Sequence, residues 1–419
     1  MESINLKYFS ISEQQTFSDK DKAIIKELNL EFTDKEVRFL GLNPYNYSVS
    51  YYIGIDWLKE NESYIAVEPK IENLDYVKMF VHCLHHSEIS KFIKEVYHID
   101  FQKAQIETQN ANWDLTPFLV VHFLSLVETI TKQGLKRNYV IRDENLSSKI
   151  KGKILFSQQL KKNILSKRED RIYCRFQEYT IDCFENRLLK KALLFVQRYT
   201  AKHLDKEKYK LLFQKQNRLL SAFANISEEI SYSEIKRIKI NALYKEYLEA
   251  IDLANQILRR FGYSYMNTYN KDEKKLPPFW IDMSKLFELY IYSLLKDAYG
   301  SKIMYQLSED GKRQTHGHYG DIDFMKLDEN ILIDTKYKEI YTQDGKYDID
   351  NIRQLSGYAR DLGVLKKLNI SSDNEVIDCV IIYPNNNSND NFKDRELKEA
   401  SIRQFTKFYK CGIKLPLKN

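Results

Sequence analysis

The chain has 419 residues, 43% of them hydrophobic and 13% aromatic, which argues against global disorder and leaves room for two or three domains. A net charge of +6 permits a polyanionic partner without requiring one. Five scattered cysteines without a Cys-x-x-Cys spacing argue against a zinc ribbon or a disulfide scaffold. With no basic-then-apolar leader and no run of roughly 18 apolar residues, a soluble, cytoplasmic protein without membrane contact is expected.

Residues 1–70 read as β-rich. An apolar run at 37–42 and the turn signal Asn43-Pro44-Tyr45-Asn46 precede a strand at 47–55, and a second strand at 64–71 is stopped by Pro69. Helices are expected at 74–86 and 117–131. His82, Cys83, His85 and His86 crowd the first of these, but their spacings cannot all face one ion, so a structural role is expected. Between 149 and 175 lie nine basic side chains, among them Lys151, Lys153, Lys161, Lys162 and Arg168, interleaved with Phe156 and Tyr173. Such a stretch can follow a phosphate backbone or be a solvated face. Asp182 and Glu185 form an Asp-x-x-Glu capping pattern for a helix with an apolar stripe of Leu188, Leu189, Ala192, Leu193 and Val196. Helical pattern continues with interruptions to about Phe261, and the charged, proline-terminated stretch 269–278 marks a domain boundary.

From Ile281 the order of elements becomes informative. Asp282 or Ser284 can cap a helix running to about Tyr299, and 301–307 reads as a strand. The alternating Asp321, Ile322, Asp323, Phe324, the polar turn Asp328-Glu329-Asn330 and the run 331–336 form a β-hairpin. Period-two geometry puts Asp321 and Asp323 on one face of their strand, and Asp334 and Lys336 on one face of the next. Two carboxylates and an amine at the end of a small sheet suit a divalent cation and a water beside it, or form merely a solvated tip. A helix over 349–365 and an apolar strand over 376–383, buried on both faces, complete the order α-β-β-β-α-β, a mixed sheet flanked by helices.

That order, with an aspartate on one strand and Asp-x-Lys on the next, resembles the PD-(D/E)xK nuclease superfamily. Over roughly residues 50–385 the chain is similar to the McrC family, the nuclease subunit of the McrBC modified-cytosine restriction system. The similarity rests on Tyr52-Ile53-Gly54-Ile55 followed by Glu68-Pro69-Lys70-Ile71, on Glu185-Asn186-Arg187-Leu188-Leu189-Lys190, and on Leu286-Phe287-Glu288-Leu289-Tyr290. Gly320 stands where the family usually has proline, and Asp323 offers a second candidate acid besides Asp321.

The resemblance implies an α+β multidomain protein: a β-rich and helical partner-docking domain (1–148), a basic and helical connector (149–275), and a restriction-endonuclease-like domain (276–419). It implies Mg²⁺-dependent hydrolysis of double-stranded DNA, with Mn²⁺ as a possible substitute. Asp321 and Asp334 would hold the ion, with the Thr335 carbonyl and Glu288 or Asp323 as further ligands. Lys336 would orient or deprotonate water; a lysine beside a divalent cation can have a depressed pKa, which makes a base role admissible. Gln354 and Tyr358, four apart on one helix face, resemble the Gln-x-x-x-Tyr motif of RecB-like members. No Gly-x-x-x-x-Gly-Lys-[Ser/Thr] loop is present, so no bound nucleotide is expected in this chain. The resemblance instead implies a separate McrB-like AAA+ GTPase hexamer, stimulated through the region before about residue 270. A stand-alone RecB-like nuclease, or an inactive adaptor of a motor, are the alternatives.

Overall fold

The computed structural model describes residues 7–32, 38–83, 86, 88–100, 103–108, 116–207, 209–230, 245–266, 274–305, 322–343, 345–370 and 375–418. The chain divides into two compact units, 1–114 with 271–419, and 115–270. The consecutive segments 1–148, 149–275 and 276–419 differ from these units because strands from both ends of the chain share one sheet. The first unit opens with strand β1 (Lys7–Ser12), helix α1 (Asp19–Glu27), β2 (Tyr52–Lys59) and β3 (Ser63–Glu68). Helix α1 lacks a sequence signal because only Ile25 in it is buried; Ser18 starts it by accepting the Asp21 N–H. Within the apolar run at 37–42, Arg38–Gly41 form a tight turn, with Phe39 and Leu40 at φ 53° and 56°. Helix α2 (Tyr76–His82) is capped by Asp75, and short strands β4 (Tyr97–Ile99) and β5 (Ile106–Thr108) follow.

The second unit contains α3 (Thr116–Gln133), β6 (Asn138–Ser147), β7 (Lys153–Ile154), α4 (Phe156–Gln159), β8 (Arg171–Thr180), α5 (Phe184–His203), α6 (Lys210–Ala222) and α7 (Lys245–Met266). The basic stretch therefore belongs to a sheet only at its ends, with a short helical segment over 156–164 between them: β8 pairs antiparallel with the whole of β6 and with β7. Most of β6 is exposed or half-exposed on both faces, which removes the inside–outside alternation that betrays a strand. Helix α5 starts at Cys183, whose side chain makes no capping bond. Asp182, expected as the cap, instead accepts from Arg187 (2.8 Å), the Ser227 N–H (2.9 Å) and Arg142 (3.0 Å). Partial burial alone would raise its pKa; these donors bring it down to about 2.

Returning to the first unit, β9 (Lys274–Leu276) pairs with β5, and β10 (Phe279–Asp282) inserts between β2 and β4 to give the sheet order β1-β3-β2-β10-β4. Asp282 then caps α8 (Met283–Tyr299) by accepting the Lys285 N–H at 2.9 Å. A second sheet is built from β11 (Ile303–Tyr305), β12 (Phe324–Lys326), β13 (Ile331–Thr335), β14 (Asp378–Pro384), β15 (Ala400–Ser401) and β16 (Phe408–Ile413), in the order β11-β12-β13-β14-β16-β15. Helices α9 (Ile349–Tyr358) and α10 (Leu362–Lys367) lie between β13 and β14 in the chain; the single helix expected over 349–365 is broken where Asp361 caps a new start. The order α-β-β-β-α-β is present, followed by two further strands. On one side of this sheet Leu332 and Ile381 share a buried cluster with Ile352, Leu355 and Tyr358 of α9. On the other, Tyr292 of α8 stacks on Tyr305 (4.7 Å between centroids) and Phe324 (5.6 Å). Among the described residues no helix is long and apolar enough to cross a membrane.

At Gly54 the backbone of β10 approaches β2 closely. It sits opposite Trp280 at φ 145°, and a Cβ there would lie 2.2 Å from the Phe279 carbonyl oxygen. Gly54→Ala is expected to destabilise this unit by about 1–3 kcal/mol, read as a lower urea midpoint with an unchanged slope; an unchanged midpoint would refute the close-approach explanation.

Candidate active site

The β12–β13 register pairs Phe324 with Ile333, so one further step places Asp323 opposite Asp334, on the same face. Asp334 lies two residues after Leu332 and shares its face, toward α9. Asp323 is fixed by Thr335: the backbone N–H (2.7 Å) and the hydroxyl (2.6 Å) both donate to its Oδ2. Asp334 is buried, 3% exposed, with its Oδ2 2.7 Å from Lys336 Nζ. That contact is ionic only, since Oδ2 receives no hydrogen bond of acceptable geometry. Lys336 Nζ donates instead to Gln354 Oε1 (3.2 Å), and Gln354 Nε2 donates to Tyr358 Oη (2.9 Å). The four-residue spacing on α9 thus forms a relay ending on the lysine.

Glu288 projects from α8 beside the same hairpin. Its Oε1 accepts from Tyr305 Oη (2.7 Å) and Lys285 Nζ (3.2 Å), and Lys285 also donates to Tyr305 Oη (2.8 Å). Burial first, and then the charge of Asp323, push both Asp334 and Glu288 up to about 7. For Lys336, burial pulls the pKa down, but Asp334 and Asp323 outweigh it and the ammonium is held above its ordinary value. Asp334 therefore faces Lys336 and Glu288 faces Lys285, with the Asp334 Oδ2 unsatisfied, and a divalent cation beside Asp323 and Asp334 would offset the repulsion between them. Among the described residues no three or more carboxylate, imidazole or thiol groups are gathered to hold an ion. A cation here would complete its shell with main-chain, water or substrate oxygens, as Mg²⁺ commonly does.

The structure thus brings together Asp323, Asp334, Thr335, Lys336, Gln354, Tyr358 and Glu288. Asp321 lies outside the described residues, and Asp323 is the carboxylate seen opposite Asp334. Sequence reasoning missed Lys285 and Tyr305. The first carried a usable signal, its three-residue spacing from Glu288; the second is brought in only by the sheet. Lys151, Lys153, Lys161, Lys162 and Arg168 are exposed on the second unit, with Lys162 over the Tyr173 ring (4.6 Å) and Lys151 over Phe176 (4.9 Å). In the histidine cluster, His86 Nε2 meets Asp297 Oδ1 (2.9 Å) and His82 Nδ1 meets Ser293 Oγ (2.9 Å). Cys83 is buried and bonded to the Met79 carbonyl, while His85 lies outside the described residues.

The model of the McrBC family, described as a 5-methylcytosine restriction system component, matches residues 48–367. Among solved structures, the chain is similar to a half-complex of Thermococcus gammatolerans McrB AAA+ hexamers with bound McrC (16% identity, 97% of this chain and 94% of that one, TM-score 0.36). It is also similar to the cryo-EM structure of the Thermococcus gammatolerans McrBC complex (15% identity, 69% and 87%, TM-score 0.31). No curated protein matches the chain.

A carboxyl raised from 3.8 to about 7 in the fold keeps a proton that the unfolded chain has released. Metal-free stability from this group therefore falls as pH rises between those values. Asp334→Asn removes the repulsion, so in chelator at about pH 8 its Tm should exceed that of the wild type, by about 2–4 °C per kcal/mol, with the difference shrinking toward about pH 4. Mg²⁺ should raise the wild-type Tm and not that of the variant. Equal melting curves at every pH would contradict the carboxylate crowding.

Proposed function

The chain belongs to the McrBC 5-methylcytosine restriction system component family, and from that premise we propose that it is the McrC-type nuclease subunit, with a PD-(D/E)xK domain that hydrolyses DNA phosphodiesters. The observation that carries this reading is the convergence of Asp323, Asp334 and Lys336 at the end of β13, with Gln354 on the lysine and the charge of Asp323 acting on Glu288. Asp334 and Asp323 would hold Mg²⁺, or Mn²⁺ in its place, with the Thr335 carbonyl or Glu288 as further donors and Asp321 as the alternative first acid. Bound there, the ion supplies charge that acidifies a neighbouring water and polarises the phosphoryl oxygen.

The chain's own residues do the rest. Lys336, kept cationic by the two aspartates, orients the attacking water and offsets charge on the pentavalent phosphorus. Gln354 fixes the position of the ammonium, and Tyr358 fixes Gln354. Lys285 and Tyr305 hold Glu288 in one rotamer. The basic stretch of the second unit offers exposed Lys151, Lys153, Lys161, Lys162 and Arg168 for binding phosphates, which positions DNA without reading it. Recognition of the modified base belongs to a separate McrB-like AAA+ GTPase, whose GTP hydrolysis this chain stimulates. The family description, a component of a system, supports the need for a partner.

Plasmid carrying methylated cytosine, incubated with this protein, the AAA+ partner, GTP and Mg²⁺, should be cut by the wild type. Asp334→Ala should reduce cutting by roughly three orders of magnitude and keep the GTPase stimulation. Cutting by both proteins, or by neither, would defeat the assignment. Replacing Lys151, Lys153, Lys161 and Lys162 together should flatten the salt dependence of DNA affinity, by about 0.9 in logarithmic slope for each phosphate no longer neutralised; an unchanged slope would remove this stretch from the DNA path.

A further inference from the structure

We propose that Glu13 and Lys70, which lie just past the ends of β1 and β3 in the N-terminal part of the first unit, are positioning residues for Lys336. The inference rests on the nuclease reading for its catalytic consequence, and on geometry alone for the positioning itself. Strand β13 ends at Thr335, and Lys336 is the last residue of the run to meet β14, its N–H donating to the Ile382 carbonyl (2.9 Å). The chain then turns sharply, the Lys338 N–H donating to the Lys336 carbonyl (2.7 Å). The direction in which the Lys336 side chain leaves the backbone therefore depends on the peptide that follows, Tyr337.

Tyr337 is held at three points by residues from the N-terminal part of the unit. Lys70 Nζ donates to its carbonyl oxygen (2.6 Å) and lies 3.8 Å from its ring centroid. Tyr337 Oη donates to Glu13 Oε1 (3.0 Å), and the same oxygen accepts the Lys70 backbone N–H (3.1 Å). Gln14 Oε1 accepts from Lys70 Nζ (3.0 Å), and Phe287 of α8 packs against the tyrosine ring (5.6 Å). Glu13 is 1% exposed and its Oε2 has no hydrogen-bond partner. Burying a carboxylate with one oxygen unsatisfied is a poor way to stabilise a fold, and an apolar contact of the same volume would serve better. What the polar arrangement adds is direction: an ammonium on one carbonyl and a carboxylate on one hydroxyl fix both the main chain and the ring of the residue next to Lys336.

The test uses the full-length protein with its partner. Lys70→Met should lower kcat for DNA cleavage on the order of 10–100-fold, as a misplaced group does, with KM for DNA and the Mg²⁺-induced rise in Tm unchanged. Lys70→Arg, which keeps a cation over the ring and a donor for the carbonyl, should restore most of kcat. Tyr337→Phe retains the ring and the carbonyl bond and removes only the Glu13 bond, so about a fivefold fall is expected; this variant decides the matter if Lys70→Met does not fold. Independently of cleavage, acylation of Lys336 at fixed pH, followed by peptide mass spectrometry, should be several-fold faster in Lys70→Met than in the wild type or Lys70→Arg. Wild-type kcat together with unchanged acylation, or Lys70→Arg as impaired as Lys70→Met, overturns the proposal. If the wild type cuts no DNA, the nuclease reading fails and acylation alone decides: acceleration sustains the positioning role, and equal rates refute it.

Discussion

Two hydrogen bonds from Thr335 to Asp323 govern the C-terminal sheet's chemistry. They clamp a carboxylate at the open end of the hairpin, directly across from a second, buried one. Left to itself this arrangement is unfavourable, because a buried charge loses hydration and gains a like neighbour. Lys336 at the end of β13 meets Asp334, Lys285 of α8 meets Glu288, and Asp334 and Glu288 keep protons that ordinary carboxyls would have released. A cation entering this place would displace protons as well as water.

The surrounding architecture makes such a placement possible. Strand β13 is an interior strand, antiparallel to β12 on one side and parallel to β14 on the other, so its backbone is satisfied and its position set. Its carboxyl end, where Asp334 and Lys336 sit, coincides with the point at which the parallel ladder stops and the chain turns away. Open sheets of this kind place ligands just outside the carboxyl ends of their strands. Packing by Leu355 and Tyr358 of α9 on one face, and by the Tyr292–Tyr305–Phe324 stack on the other, keeps both approaches to that end rigid.

Much of this was legible in the sequence, for reasons that can be named. The hairpin declared itself through period-two alternation and an Asn330 turn, and Asn330 indeed adopts φ 53°. Helix α8 was visible because Asp282 caps it and its apolar stripe is long. Period-two alternation in the sequence puts Asp321 and Asp323 on one face and so does not choose between them; the structure describes Asp323, opposite Asp334, while Asp321 lies outside the described residues. Strand β6 was unreadable as a strand because it buries almost nothing. At α5, Asp182 satisfied the capping pattern on paper, but two arginines and a backbone N–H claimed it first. Tertiary partners overrode a local rule there, as they do wherever a charged group finds stronger ligands than a helix end.

The protonation of Lys336 also bears on how the site divides its labour. Burial favours the neutral amine, yet two aspartates outweigh it and hold the ammonium. Were Asp323 and Asp334 to hold a divalent cation, its like charge beside Lys336 would favour the neutral amine. The direction of change is thus toward a more acidic ammonium once the site is loaded, and the hydrogen bond to Gln354 Oε1, which favours the protonated form, resists it. Whichever way the proton moves, Lys336 can act only from where its backbone puts it. That backbone is fixed by Ile382 on one side and by the carbonyl that Lys70 grips on the other. Electrostatics decides the charge on the amine; the N-terminal and C-terminal parts of this unit together decide where that charge is placed.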